Sequence, residues 1–273
     1  MSLSEQIPVA PGTPPRLEVR NPAGSVTVVA VEGLEQLEVE VEPLDDAAEE
    51  LLDRVEIEVR GAAPDSPTRL RVTVPERRLL RTPAFAVRIT TPAGAAARVA
   101  VASADVQLTG RMGELELTGA SGDLDVERGT DVHLRTASGD ARIGTVDGRG
   151  SIGSASGDVR VGQARGPLRL RTASGDVSVE QTADDVSITT ASGDVTVDAA
   201  TGGALQIKTV SGDATVGVVP GLRVWLDLSS VSGRIHPQLG DDEAAGDGPA
   251  ALTLSMRSVS GDLRIHRAAA TPA

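Results

Sequence analysis

Cysteine and tyrosine are absent from the 273 residues, and the aromatic side chains are one phenylalanine, Phe85, and one tryptophan, Trp225. Without cysteine there is neither a disulfide framework nor a thiolate metal site. No segment approaches the run of about 18 apolar residues that a spanning helix needs. The opening "MSLSEQIPVAPGTPP" lacks the basic and apolar regions of a secretion signal. The expected location is cytoplasmic, without membrane insertion. With 39 acidic against 26 basic residues the net charge is −13, which disfavours nucleic acid and anionic membranes as partners.

What the sequence has in abundance is one triplet. Ser-Gly-Asp begins at Ser121, Ser138, Ser156, Ser174, Ser192, Ser211 and Ser260, with Ser-Gly-Arg at Ser232 and a weaker "SAD" at Ser103. The interval between successive serines is nearly constant from Ser103 to Ser211 and lengthens only in the last two steps, to Ser232 and then to Ser260. A fixed period of this kind marks a repeat architecture.

Aligned on the serine, the flanking positions sort themselves. Six and four residues before it stand pairs such as Leu168 and Leu170, Val186 and Ile188, or Leu205 and Ile207; three and five after it stand Val159 and Val161, Val177 and Val179, or Val195 and Val197. Polar residues alternate with them, the period-two pattern of a strand with one buried face. Each repeat therefore reads as strand, turn, strand, turn. A meander of so many strands would leave a very wide apolar face uncovered, since open sheets rarely exceed about ten strands; a coil closes that face on itself. The expected fold is all-β, a single-stranded parallel β-solenoid of about 18 residues per coil, right-handed as parallel crossovers nearly always are. A narrow interior of stacked Val, Leu, Ile and Ala has little room for large rings.

The triplet is then a corner. The predicted corner residues are Gly122, Asp123, Gly139, Asp140, Gly157, Asp158, Gly175, Asp176, Gly193, Asp194, Gly212, Asp213, Gly261 and Asp262. Glycine is expected at Gly175 and Gly193 for a positive φ, aspartate to accept turn amides, and the preceding Ala137, Ala173, Ala191, Val210 or Val259 for its small size. Thr136, Ser154, Thr172, Thr190, Thr209, Ser230 and Ser258, two before the serine, are expected to stack their hydroxyls along the ladder.

By composition the chain divides into a flexible leader at 1–15, an irregular β region with a short helix at 16–98, the regular solenoid at 99–267 and a tail at 268–273. The helical stretch is "PLDDAAEELLDR" from Pro43, with Asp45 or Asp46 as its cap; it and the first irregular coils would close the end of the stack. "NPAGSVTV" at Asn21 and "TPAGAAARVAV" at Thr91 look like degenerate corners, consistent with one continuous stack.

The "VRNPAGSVTV" opening, the acidic Leu-Leu helix and the "TASGDV" corners through Ile265 resemble the bacterial toast-rack family, also labelled putative adhesins with β-strand repeats. The resemblance spans roughly residues 16–267. It implies a stacked β-helical domain, found beside envelope-stress and membrane-signalling components, with no established enzymatic activity.

The residues suggest no enzyme, cofactor or metal site. A glycosidase needs one unique carboxylate pair, whereas the corner aspartates repeat on every coil, and His133, His236 and His266 share no triad spacing. Calcium β-rolls place glycine-rich turns on both sides of each coil; here one turn has Ser-Gly-Asp and the other reads "EQTADD", "DAATGG" or "GQARGP". The long steps correspond to extra residues around Pro220 and from Pro237 to Ala250, expected as loops projecting from one face. Trp225 alternates outward beside them, either packed under a loop or as a partner contact. Two classes remain: a non-catalytic, adhesin-like interaction scaffold with an unknown protein partner, and a self-assembling, bactofilin-like cytoskeletal solenoid.

Overall fold

A computed structural model describes residues 2–9, 12–61, 67–75, 82–239 and 251–268. Contacts divide the chain into two compact units, Met1–Ala141 and Arg142–Ala273. Both are built of β-solenoid coils, and the described residues hold 23 strands.

In the second unit the strands are β11 (Ala141–Val146), β12 (Gly150–Ser154), β13 (Val159–Ala164), β14 (Leu168–Ser174), β15 (Val177–Thr182), β16 (Val186–Ser192), β17 (Val195–Ala200), β18 (Gly203–Ser211), β19 (Ala214–Val218), β20 (Val224–Ser230), β21 (Ile235–Gln238), β22 (Leu252–Ser260) and β23 (Leu263–Arg267). Each pairs in parallel with the strand one coil away, in the register of the repeat. Leu170, Ile188, Ile207 and Met256 form one interior row, and Leu168, Val186, Leu205 and Leu254 another; all eight are at most 2% exposed. Buried side chains of this size stabilise by about 1.5–3 kcal/mol each, so these rows dominate the stability of the unit. Gly150, which breaks the second row in sequence, leaves its place to the Leu168 side chain of the next coil.

The coils do not follow chain order. β18 pairs with β22, and β22 with β20; likewise β19 with β23, and β23 with β21. The chain leaves β19, skips one coil position, makes β20–β21, and returns to fill the gap with β22–β23. The two lengthened steps, Ser211 to Ser232 and Ser232 to Ser260, thus carry the chain past a coil and back, where the sequence suggested loops added to one face. Of the second expected loop, Pro237 and Gln238 belong to β21 and residues 240–250 lie outside the described residues.

The first unit contains β1 (Leu3–Pro8), β2 (Arg16–Asn21), β3 (Gly24–Val31), β4 (Gln36–Pro43), β5 (Glu56–Arg60), β6 (Arg69–Thr73), β7 (Phe85–Pro92), β8 (Ala96–Val101), β9 (Asp105–Thr118) and β10 (Leu124–Thr136). Order is exchanged here too: β2 lies between β6 and β8, and β3 between β7 and β9. Antiparallel strands finish the edges, β5 on β6 and β4 on β7, with β1 on β4. β1 falls in the stretch expected to be a leader.

The helical run joins the two finished edges. Asp45 caps it, its carboxylate accepting from Ala48 N at 2.7 Å. The helix proper, α1, is only Asp46–Glu49, followed by a 3-10 turn at Leu52–Arg54; Ala48, Leu51 and Leu52 are buried. Asn21 begins a corner facing Ser103, whose N donates to Pro22 O at 2.8 Å, whereas the similar Thr91 stretch forms the opposite turn between β7 and β8. Phe85 is fully buried, so the interior of this unit does take one large ring.

Candidate interaction site at the terminal coil

The glycine of each corner is required by its neighbour. A Cβ on Gly175 would collide with Gly157 O, one on Gly193 with Gly175 O, one on Gly212 with Gly193 O and one on Gly261 with Gly212 O. In the first unit Gly139 and Gly122 face Gly122 O and Ala104 O in the same way. The expectation of a positive φ holds at Gly193 (+142°) but not at Gly175; Gly212 (+143°) also adopts it. The common cause is the close approach of stacked backbones.

The aspartates form a ladder rather than closing their own turns. Asp158 Oδ1 accepts from Asp176 N (3.0 Å), Asp176 Oδ1 from Asp194 N (2.9 Å), Asp194 Oδ1 from Asp213 N (2.8 Å), and Asp213 Oδ1 from Asp262 N (2.8 Å). In the first unit Asp105, Asp123 and Asp140 are linked likewise. The last donor of the second ladder is Arg234 N, to Asp262 Oδ1 at 2.9 Å. Arg234 stands in the outermost coil, where no further amide needs a carboxylate; hence the single Ser-Gly-Arg variant. The Asp262 amide and then the Arg264 guanidinium hold the Asp213 carboxyl below the usual aspartate range. Its contribution to stability is therefore complete above that range and is lost as pH falls through it toward the depressed value.

The hydroxyl column faces the interior. Thr136, Ser154 and Ser230 accept from the amides of Gly139, Gly157 and Gly233. At Gly193 and Gly212 the amide instead reaches the next coil's Ser211 O and Ser260 O, both at 3.2 Å, and the hydroxyls of Thr172, Thr190, Thr209 and Ser258 are buried without a hydrogen-bond partner. They do not bond along the ladder as expected.

The terminal coil, β20–β21, differs from the coils beneath it. Leu252 N donates to Arg223 O and Val231 N to Ser258 O. By the alternation of a parallel ladder, the main-chain groups of Val224, Leu226, Leu228 and Ser230 face away from β22, and no strand among the described residues pairs there. Leu226 and Leu228 are half-buried, while Leu254 and Met256 below them are fully covered. On β21, Leu263 N donates to Arg234 O, which directs the donor missing from Pro237 outward, a position that suits an edge proline. Trp225 is 55% exposed and Val231 80%.

Residues 72–266, well over half the chain, match the Toastrack DUF4097 family. The protein belongs to the Toastrack family. The sequence matches no curated protein. Among solved structures, this Toastrack chain is similar to a "putative adhesin" from Bacteroides fragilis NCTC 9343 (11% identity, 97% of each chain covered, TM-score 0.43). It is also similar to a "putative lipid binding protein" from Parabacteroides distasonis ATCC 8503 (12% identity, 96% of each chain, TM-score 0.44), and to a "putative cell adhesion protein" from Clostridium sporogenes ATCC 15579 (10% identity, 98% of this chain and 100% of that one, TM-score 0.28).

All fourteen predicted corner residues of this Toastrack chain sit at stacked corners, tied into backbone contacts, and Trp225 stands at the open edge, away from them. Among the described residues no group of three or more His, Asp or Glu side chains is placed to hold a metal ion, and no helix is long and apolar enough to cross a membrane. What sequence reasoning missed is the exposed valine series: the residue before the corner serine is Ala155, Ala173 and Ala191 in the middle coils but Val210, Val259 and Val231 in the last three. The signal was present as a drift in one column.

The ladder makes a directional prediction. Asp194→Ala should speed exchange of the Asp213 amide, which loses its acceptor, while leaving that of the Asp194 amide, held by Asp176. Leaving such a donor unpaired costs about 1–3 kcal/mol when buried; these corners are exposed, so the lower end is expected. Asp194→Asn, which keeps an acceptor oxygen, should restore most protection. Equal acceleration of both amides would mean the carboxylate acts through general charge rather than through this bond.

Proposed function

We propose that this protein is a non-enzymatic interaction scaffold in which the stacked coils present the terminal coil to a partner, in the cytoplasm and in association with membrane-signalling or envelope-stress components. The observation that carries the reading is the distribution of exposed apolar side chains. Of the eight large ones among the described residues, Val210, Trp225, Val231, Ile235 and Val259 lie on the last three coils and only Val31, Leu44 and Val59 elsewhere. Concentrated exposed apolar surface marks interaction sites. The corner carboxylates of Asp123, Asp158, Asp176, Asp194, Asp213 and Asp262, each accepting a main-chain amide, support a structural rather than catalytic role for the repeat.

A second reading, end-to-end assembly into filaments, draws on the open edge of β20. Against it stand the antiparallel strands that finish the edges of the first unit, whose outer residues include Glu5, Glu56, Glu58 and Arg60, charges that discourage edge pairing. Sedimentation velocity at rising protein concentration decides between them: the scaffold predicts a mass that stays at one small closed species, and unbounded growth would replace it with the filament. Trp225→Ala with Val231→Ser is then expected to leave the melting temperature unchanged and abolish capture of crosslinked partners. An unchanged set of partners would remove the terminal coil as the binding end.

A further inference from the structure

The net charge of the chain conceals one face of opposite sign. On β14, β16, β18, β22 and β20 the residues alternating with the buried rows point outward, and register places them side by side: Arg169 and Arg171, then Ser187 and Thr189, Gln206 and Lys208, Ser255 and Arg257, and Asp227 and Ser229. The first four strands contribute four cations to this face and no acid. The side chains of Arg169, Arg171 and Lys208 take part in no ion pair or hydrogen bond among the described residues; Arg257 meets Asp227 at 3.4 Å. With parallel strands about 4.8 Å apart, Lys208 lies one strand from Arg257 and two from Arg171. Among the described residues, Asp227 lies on this face and Asp185 at its margin, in the cross-strand row of Ala204, Thr253 and Trp225; the other acids of the strands stand away from it. Glu180 and Asp198 are on β15 and β17, the Asp158–Asp262 series forms the corner ladder, and Asp185 lies at a strand entry, where it accepts from Ala204 N.

The same face carries the apolar residues. Trp225 is in register with Thr253, two positions before Asp227, and so projects on the side of Arg257. Val210, Val259 and Val231 stand beyond Lys208, Arg257 and Ser229 at the ends of the three neighbouring strands, 54%, 50% and 80% exposed. The sheet therefore presents, in order along the strands, a tryptophan, a cationic strip with small hydroxyls, and a valine row.

We infer that this face docks on an anionic lipid bilayer, Lys208 and the three arginines meeting headgroup phosphates and Trp225 and the valines entering the interface. A broad face of side-by-side parallel strands suits a bilayer. One exposed ring at the margin suits interfacial anchoring, where tryptophan concentrates, and provides no row of platforms for stacked bases. Net charge argued against such a surface, but only charges within a Debye length of about 8 Å are felt at physiological salt, and among the described residues the face carries four cations against Asp227 and the marginal Asp185. The inference names a partner for the interaction reading above and rests on it for the role of Trp225 and Val231.

Trp225 is the only tryptophan, so its emission reports docking directly. The full chain is mixed with vesicles of phosphatidylcholine alone, or with about a third phosphatidylglycerol, and followed by fluorescence and co-sedimentation. The expected result is a blue shift and pelleting with the anionic vesicles only, reversed by about 0.5 M salt, where screening lengths shorten to a few Å. Arg171→Gln with Lys208→Gln touches only exposed, partnerless side chains; melting should not change, and partitioning should fall about 30-fold, roughly fivefold per cation. No pelleting with anionic vesicles, equal pelleting with neutral ones, or a double variant that binds like the parent each overturns the inference. A Trp225 shift on adding a single-stranded oligonucleotide, without vesicle binding, overturns it in favour of nucleic acid. If vesicles fail while Trp225→Ala with Val231→Ser still loses a captured protein, the lipid assignment falls and the scaffold reading stands.

Discussion

Gly193→Val should loosen the coils on either side of β16–β17 and leave β4, around Val39, as protected as before. Two penalties coincide at this position. The new Cβ is driven into Gly175 O, a backbone atom that cannot swing aside, and a β-branched residue is forced to φ +142°. Overpacking and backbone strain each cost about 1–3 kcal/mol, so the sum is on the order of 2–6 kcal/mol. Gly175→Val meets the collision with Gly157 O without a positive φ and should cost about half as much. A solenoid couples nearest neighbours, so exchange protection should fall most at the Ser174, Ser192 and Ser211 corners and recover with distance. Uniform loosening of every strand in the unit would show that stacking is not the constraint.

The second large effect belongs to the first unit. Phe85 is the only fully buried ring among the described residues, and its carbonyl accepts from Asn21 Nδ2 at 2.8 Å, while a Cβ on Gly24 would strike that same backbone. The corner at Asn21–Gly24 is thus shaped around the β7 start. Phe85→Ala removes the ring without touching the carbonyl and leaves a cavity in a packed interior, expected to cost about 3–5 kcal/mol. Phe85→Leu, which refills part of the space, should recover most of it. Chemical denaturation gives the loss and exchange locates it: β3 and β7 should open while β15–β17 keep their protection. A cost below about 1 kcal/mol would mean that the surrounding coils collapse onto the vacated space.

The contrast between Phe85 and Gly193 also shows what was legible in the sequence. The interior rows were, because alternation along Leu168–Thr172 or Val186–Thr190 is local and is copied every period. A cap at Asp45 or Asp46 was legible from local chemistry, Asp45 being the one that accepts from Ala48 N, and so was the outward side of Trp225. The reason for the corner glycines was not. It lies in a carbonyl contributed by the previous coil, and local rules suggested a turn conformation that only Gly193 and Gly212 adopt. The aspartate ladder is likewise a contact between repeats, and the meaning of Arg234 emerges only once β20–β21 is known to be outermost. Spatial order itself leaves almost no trace in a single sequence. The lengthened steps from Ser211 to Ser232 and on to Ser260 record how much chain was needed to pass a coil, and read the same as inserted loops. The basic face was hidden differently, since Arg169, Arg171, Lys208 and Arg257 are scattered along the sequence and come together only when strands from successive coils are laid side by side.

The exchange of coil order at the end of the second unit bears on how the molecule is made. A ribosome delivers β20 and β21 before β22 and β23, so at that moment β18 and β19, paired with β16 and β17 on one side, have no permanent neighbour on the other, and the coil destined to be outermost is already out of the exit tunnel. It cannot settle on β18 without occupying the place reserved for the segment still being synthesised. Completion of this stack therefore waits for Leu252–Arg267, which slides between two coils and is held on both sides. In an array built in simple succession the later of two repeats is the more easily frayed; here the frayed position falls to β20–β21, and β22–β23, translated after it, is locked inside.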